Sequence, residues 1–185
     1  AILDIPKEKE IPVFVVTHVL TPEAVRAIYM TSWVAGTKSL RDNVVSLIDD
    51  TELNAVVIDI KDYSGRIAFP VDDSAVSKYG ASENRFPDVR EFVGELHKKG
   101  IYVIGRITVF QDPFLVKARP DLAVKKESDT SVVWKDYKGL SYIDPAAEEG
   151  WKYIAALSRA SYALGFDELN FDYIRFPSDG NMRDI

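Results

Sequence analysis

The sequence predicts an α/β fold of (β/α)-barrel type, covering about strands one to four of such a barrel. Three observations carry that prediction. Short apolar, β-branched runs alternate with amphipathic segments in the order β-α-β-α-β-α-β. The turn after the first run, Thr31-Ser32-Trp33-Val34-Ala35-Gly36, lacks the glycine spacing that a doubly wound nucleotide-binding sheet puts there. Charged residues gather where three of the four runs end, and barrels hold their chemistry at such strand ends. A whole barrel takes about 250 residues. This chain has 185, so four parallel strands with outer helices make a partial barrel.

The elements follow in order. Residues 1–24 form an N-terminal lead-in: 1–10 are polar, and the β-branched run 11–20 (IPVFVVTHVL) supplies a possible extra strand. Residues 25–185 are assigned to the N-terminal half of a (β/α)8 barrel. Val25–Met30 is the first strand, 31–37 a loop, and 39–50 a helix with Leu40, Val44, Leu47 and Ile48 at helical spacing. Asn54–Lys61 (NAVVIDIK) is almost continuously apolar through its middle, as a strand buried on both faces should be. The long loop 62–85 exceeds the length at which structureless loops become uncommon. Pro87–Lys99 is a helix stopped by Gly100, and 101–107 is the third strand. Pro113–Ala118 is a short helix, and 121–143 an irregular excursion. Pro145–Leu164 is a long helix ended by Gly165, and 168–173 the fourth strand.

Composition narrows the function. With 46% hydrophobic and 28% charged residues the chain is ordinarily globular. A net charge of -6 without a contiguous basic stretch argues against a nucleic-acid partner. The absence of cysteine excludes disulfide and thiolate chemistry. His18 and His97 are far apart in sequence, so no metal site and no other cofactor is expected. No apolar run approaches the ~20 residues of a membrane span.

Strand alternation sorts the polar side chains by face. Asp59 and Lys61 share a face with Val57, Arg106 and Thr108 with Ile104, and Asp172 with Asn170 and Glu168. Asp59, Lys61, Arg106, Asn170 and Asp172 are therefore expected to converge on one barrel mouth. Asp172 is the leading functional carboxylate, because a carboxylate after an apolar strand costs several kcal/mol unless it is paired. For Lys61 and Arg106, structural ion pairing competes with ligand contact. Arg175 either contacts a ligand or braces Asp172. Trp33, in the loop after the first strand, is a candidate to stack on a sugar ring, and Tyr63, Phe110, Trp134 and Tyr173 are candidates to line a cleft. Trp151 is assigned to the core, and His97 to the barrel face opposite the chemistry.

Three blocks carry a resemblance. Asn54-Ala55-Val56-Val57-Ile58-Asp59-Ile60-Lys61-Asp62 with Ser64-Gly65-Arg66 is the first. Gly105-Arg106-Ile107-Thr108-Val109-Phe110 with Asp112-Pro113 is the second. The third and most distinctive runs from Gly165 through Asp172-Tyr173-Ile174-Arg175-Phe176-Pro177. Together, from about Val25 to Pro177, they resemble an uncharacterised bacterial family called the putative glycosyl hydrolase domain family.

The resemblance implies a TIM barrel similar to glycoside hydrolases of the α-amylase-like assemblage, where an Asp at the end of strand four is the usual nucleophile. Only Asp172 matches that place. The assemblage carries an Arg two residues before its nucleophile, whereas position 170 is Asn and Arg175 follows Asp172. The acid/base carboxylate comes from a later strand that this chain lacks. The implied function is carboxylate-based hydrolysis of a polysaccharide or cell-wall glycan, with carbohydrate as partner and an extracellular or cell-envelope location. The expected catalytic residues are Asp172 and Asp59, with Asp59 either a second catalytic carboxylate or a binder of sugar hydroxyls. Lys61, Arg106, Asn170, Arg175, Trp33 and Tyr173 are the expected substrate contacts. A lysine-containing mouth would also suit an anionic wall polymer. The alternative is a non-catalytic carbohydrate-binding or assembly module on the same scaffold. Exposed barrel edges make a homodimer an expectation of the sequence.

Overall fold

Four parallel strands in the order β1-β2-β3-β4 organise the computed structural model, which describes residues 15–185. They are β1 (Ala27–Met30), β2 (Ala55–Lys61), β3 (Tyr102–Thr108) and β4 (Glu168–Asp172). Every neighbouring pair is parallel and sequential. Strand order equal to chain order, with helices in the crossovers, is the arrangement of a barrel wall rather than of a doubly wound sheet, whose order reverses. The lead-in at 1–10 and the start of the run at 11–20 lie outside the described residues. The described part of that run, 15–20, forms no strand. Side chains hold it instead: Asp167 Oδ1 accepts from the Val19 amide at 2.8 Å, and Thr17 Oγ1 pairs with His97 Nδ1 at 3.0 Å.

The crossovers are built by α2 (Lys38–Asp49), α4 (Val89–Lys98) and α6 (Glu148–Tyr162), with three shorter helices, α1 (Ser32–Gly36), α3 (Ser74–Ser77) and α5 (Pro113–Ala118). The stretch predicted as loop 31–37 is thus largely the short helix α1, capped by Thr31 Oγ1 accepting from the Val34 amide. On α4, Val89, Phe92, Val93 and Leu96 make one buried stripe. It packs on the outer face of the sheet with Val56, Ile58, Ile60, Val103 and Ile107, all less than 1% exposed. Burying a side chain of this size contributes ~1.5–3 kcal/mol. Gly105 is required here, since a Cβ would lie 2.2 Å from Ile60 Cδ1 and 2.9 Å from Phe166 Cδ1.

The inner face is dressed differently. A small apolar cluster of Ala55, Tyr102 and Ile104 sits toward the strand starts, and charged groups occupy the strand ends. Tyr29, Glu168 and Asn170 are exposed on this face. The long loop 62–85 is ordered: Ile67 bridges Lys61 and Ser82, and Ile67, Ala68 and Phe69 are buried. The excursion after β3 folds back through bridges Gln111–Tyr142, Ala123–Ile143 and Lys125–Val133. Its Trp134 is 1% exposed and packs with Val124 and Tyr142, so it is core, not cleft lining. Trp151 corrects in the opposite direction. It stands half exposed on α6, with Nε1 donating to the Pro145 carbonyl.

Candidate active site

The register of the sheet sets the site. Asp59 on β2 lies beside Arg106 on β3, and Arg106 lies beside Asn170 on β4. Asp172 lies one alternation further along, opposite Thr108. The Arg106 guanidinium reaches both acids: Nη1 donates to Asp59 Oδ1 at 2.7 Å, Nε donates to Asp172 Oδ2 at 2.8 Å, and Nη2 lies 2.7 Å from the same oxygen. One cation therefore spans the two carboxylates. Asp59 is buried, its side chain 6% exposed, and its Oδ2 accepts a short hydrogen bond from the Tyr29 hydroxyl. Asp172 is more open, at 42%. Its Oδ1 accepts from the Tyr173 amide at 2.6 Å.

These contacts tune the groups. Burial pushes the Asp172 carboxyl up, but the Tyr173 amide, Arg106 and the charge of Arg175 outweigh it and hold the group below the usual carboxylate range. Burial and donation to Asp59 push the Tyr29 hydroxyl up to about 12. Desolvation pulls Arg106 down, and its two carboxylates pull it further up, so it stays charged at any working pH.

The backbone after Asp172 is unusual. Tyr173 is the one described non-glycine residue with positive φ, at 54°. A left-handed side-chain-bearing residue costs about 1–2 kcal/mol. The turn aims the Tyr173 amide at Asp172 and sets its ring between two guanidiniums, 5.8 Å from Arg106 and 5.2 Å from Arg175.

Lys61 does not join this group. A register shift between Asp59 and Lys61 aligns Lys61 with Ile107 rather than with Thr108, and the bulge turns it off the Asp59 face. Lys61 is fully buried, donates Nζ to the Thr108 carbonyl, and pairs with Asp112 at 3.0 Å. Asp112 Oδ1 also caps α5 through the Leu115 amide at 2.7 Å. Gly65, with φ 82°, passes so close that a Cβ would sit 2.1 Å from Asp112 Oδ1. Of the Ser64-Gly65-Arg66 block, Gly65 thus packs against this buried ion pair. The lysine-containing mouth and the anionic substrate argued from it fall with this correction.

The other predicted contacts divide. Asn170 lies exposed on the inner face beside Arg106. Arg175 turns away from Asp172 and donates Nη1 to Ser178 Oγ at 2.7 Å and to the Phe176 carbonyl. Trp33 is exposed on α1, with the Arg85 guanidinium 4.8 Å from its ring. Position 170, two residues before Asp172, is Asn, and Arg106 of the adjacent strand is its lateral partner. Tyr29 and Asp112 were missed. Tyr29 was within reach, because alternation in β1 puts it on the Val57 face; Asp112 had only its place before Pro113 as a signal.

Beside the carboxylates, and sharing Tyr173 as a wall, lies a cleft of about 450 Å³. Tyr63 from the loop after β2, Gln111 and Tyr142 from the excursion after β3, and Arg175 and Asp179 from the segment after β4 line it. Among the described residues no group of three or more His, Asp or Glu is arranged to hold a metal ion, and no helix is long and apolar enough to cross a membrane.

Comparison with known proteins agrees with the fold. A hypothetical protein from Ruminiclostridium thermocellum is 36% identical and superposes with a TM-score of 0.77 over 82% of this chain and 78% of its own. A maltogenic α-amylase from Thermotoga neapolitana is 16% identical, with a TM-score of 0.55 over 82% of this chain and 40% of its own. An α-galactosidase from Thermus thermophilus, in complex with stachyose, is 17% identical, with a TM-score of 0.55 over 82% of this chain and 33% of its own. At that identity the two enzymes share the fold alone, and the chain spans well under half their length. No curated protein matches the chain. Residues 27–185 match the family described as "Putative glycosyl hydrolase domain", and this chain, a TIM-barrel-type glycoside-hydrolase-like wall, belongs to that family.

Proposed function

We propose that residues 25–185 form the N-terminal half of a glycoside hydrolase barrel that cleaves a polysaccharide or cell-wall glycan. Asp172 is the nucleophile or electrostatic stabiliser, and Asp59 binds sugar hydroxyls from its buried position. The observation that carries this reading is the Arg106 bridge between Asp59 and Asp172. A guanidinium on a carboxylate favours its ionised form, which suits a nucleophile and opposes a general acid. Asp172 is held in its ionised form, so in this reading the acid/base group is a further carboxylate, as the resemblance implies. Arg106 also carries the role that the resemblance assigns to an arginine on strand four.

Among the described residues β1 and β4 have no outer partner strand, and with Tyr29, Phe171 and Ile174 exposed nearby this supports pairing with further barrel strands, either from a longer chain or from a second copy. Light scattering that shows only monomer at high concentration would count against the second copy. Reducing-end release from a panel of wall and storage polysaccharides, using the longest natural form of the protein, tests the function. New reducing ends support a glycosidase. Binding of glycans without any release favours the alternative, a non-catalytic carbohydrate-binding module.

A further inference from the structure

The cleft beside Tyr173 is not needed to hold the sugar that meets Asp172, since neither Asp59 nor Asp172 lines it. It nevertheless lies at the same strand ends, and the two regions share one residue. The Tyr173 amide holds Asp172, while its ring lies between Arg106 and Arg175. A ligand that reaches past Asp172 on this side runs over Tyr173 into the cleft.

The cleft is built before any ligand arrives. Tyr142 is 3% exposed, and its single hydroxyl proton is shared between two acceptors, Asp136 Oδ2 at 3.2 Å and Gln111 Oε1 at 3.3 Å. Gln111 Nε2 in turn donates to the Tyr63 carbonyl at 3.3 Å. Asp136 Oδ1 is taken by the amides of Lys138 and Leu140. These hydrogen bonds fix the Tyr142 side chain and the Tyr63 backbone beside the space. Its volume of about 450 Å³ falls in the ordinary range for small-molecule sites.

The rim decides what fits. Arg175 hydrogen-bonds only through Nη1, which leaves Nε and Nη2 without a hydrogen-bond partner among the described residues. The exposed Asp179 carboxylate likewise accepts no hydrogen bond from the described residues. A free planar donor and a free acceptor beside aromatic faces match vicinal hydroxyls and axial C–H bonds, since the π face is the negative side of the ring quadrupole. The charges of Arg175 and Lys138 are balanced by Asp136 and Asp179. An anionic sugar would meet Asp179, and a cationic one would meet Arg175 and Lys138.

We infer that this cleft is a second glycan subsite for an uncharged sugar residue, so that the protein recognises neutral chains at least two residues long lying across Tyr173. The inference rests on the glycan-directed reading above and specifies its substrate class.

Calorimetric titration of the full chain tests it, with maltotetraose, cellotetraose and chitotetraose set against glucose, N-acetylglucosamine and trigalacturonate. The expected result is a neutral tetrasaccharide bound at least tenfold more tightly than its monosaccharide. Tyr63→Ala and Arg175→Ala, both at exposed positions, each weaken that tetrasaccharide about tenfold and leave the monosaccharide unchanged, with circular dichroism verifying the fold. A tetrasaccharide whose affinity ignores both substitutions, or binding of trigalacturonate alone, overturns the subsite and leaves the glycan-directed function standing. Failure of every carbohydrate to bind overturns both.

Discussion

Replacing Arg106 with methionine takes one guanidinium from between two carboxylates and keeps most of the side-chain volume. Three nitrogens are lost, at 2.7, 2.8 and 2.7 Å from carboxylate oxygens. Removing one partner of a buried ion pair costs about 3–5 kcal/mol. Only the Asp59 half of this bridge is buried, while the Asp172 half is screened by solvent, so about 2–3 kcal/mol is expected at neutral pH. For a domain of this size that is a fall in Tm of roughly 5–10 °C. The pH dependence is the sharper test. In the native protein Asp172 sits below its unfolded value near 3.9, so its contribution is complete above that pH and is lost only as pH falls through the folded value. In the variant, two carboxylates face each other without a cation, and mutual repulsion raises the titration of one of them above its unfolded value. That group destabilises the variant at high pH and is relieved as pH falls. Urea unfolding of both proteins from pH 4.5 to 8, followed by far-ultraviolet circular dichroism, gives the difference in stability with the histidines cancelled. The difference grows with pH. A difference that is the same at pH 5 and pH 8, or that shrinks as pH rises, refutes the bridge.

Three further substitutions test the supports of the site. Gly65→Ala puts a Cβ against Asp112 Oδ1 at a φ of 82°, and is expected to lower stability by about 2–4 kcal/mol from left-handed strain and the disturbed Lys61–Asp112 pair, read by urea unfolding. Lys61→Met leaves Asp112 buried without its cation and costs about 3–5 kcal/mol; adding Asp112→Asn recovers part of this, and a double mutant as unstable as the sum of the singles contradicts the pairing. Asp167→Asn removes the carboxylate that accepts from His97 and from the amides of Val19 and Val103, and hydrogen exchange at residues 17–19 speeds up while α6 stays protected. Burial raises the Asp167 carboxyl, but His97 and the two amides hold it below the usual range, so its support is lost only as pH falls below about 4.

The strand order, the parallel pairing and the main helical crossovers were readable because apolar runs and amphipathic segments have different periods. Asp59, Arg106 and Asp172 converge as alternation predicts, because β3 keeps its register with both neighbours through those residues. Lys61 was misread for a local reason. A bulge between Asp59 and Lys61 breaks the period of two, and no residue type in NAVVIDIK announces it. Trp134 and Trp151 exchanged roles because an aromatic carries no sign of which side of a loop or helix meets the core. Trp134 is enclosed by Val124 and Tyr142, residues joined to it only by the return of the excursion. The strained turn at Tyr173 was equally silent, since tyrosine is not a residue that signals a left-handed backbone.

The role of Asp172 is tested most directly by comparing reducing-end release from the best polysaccharide by the wild type and by Asp172→Asn at matched fold. Asp172 is 42% exposed at the side chain, so the substitution is expected to leave the Tm within a few degrees. The account predicts a loss of release of at least a thousandfold with the fold intact. Release that persists within tenfold in a folded Asp172→Asn protein would contradict it, and would assign this carboxylate to architecture.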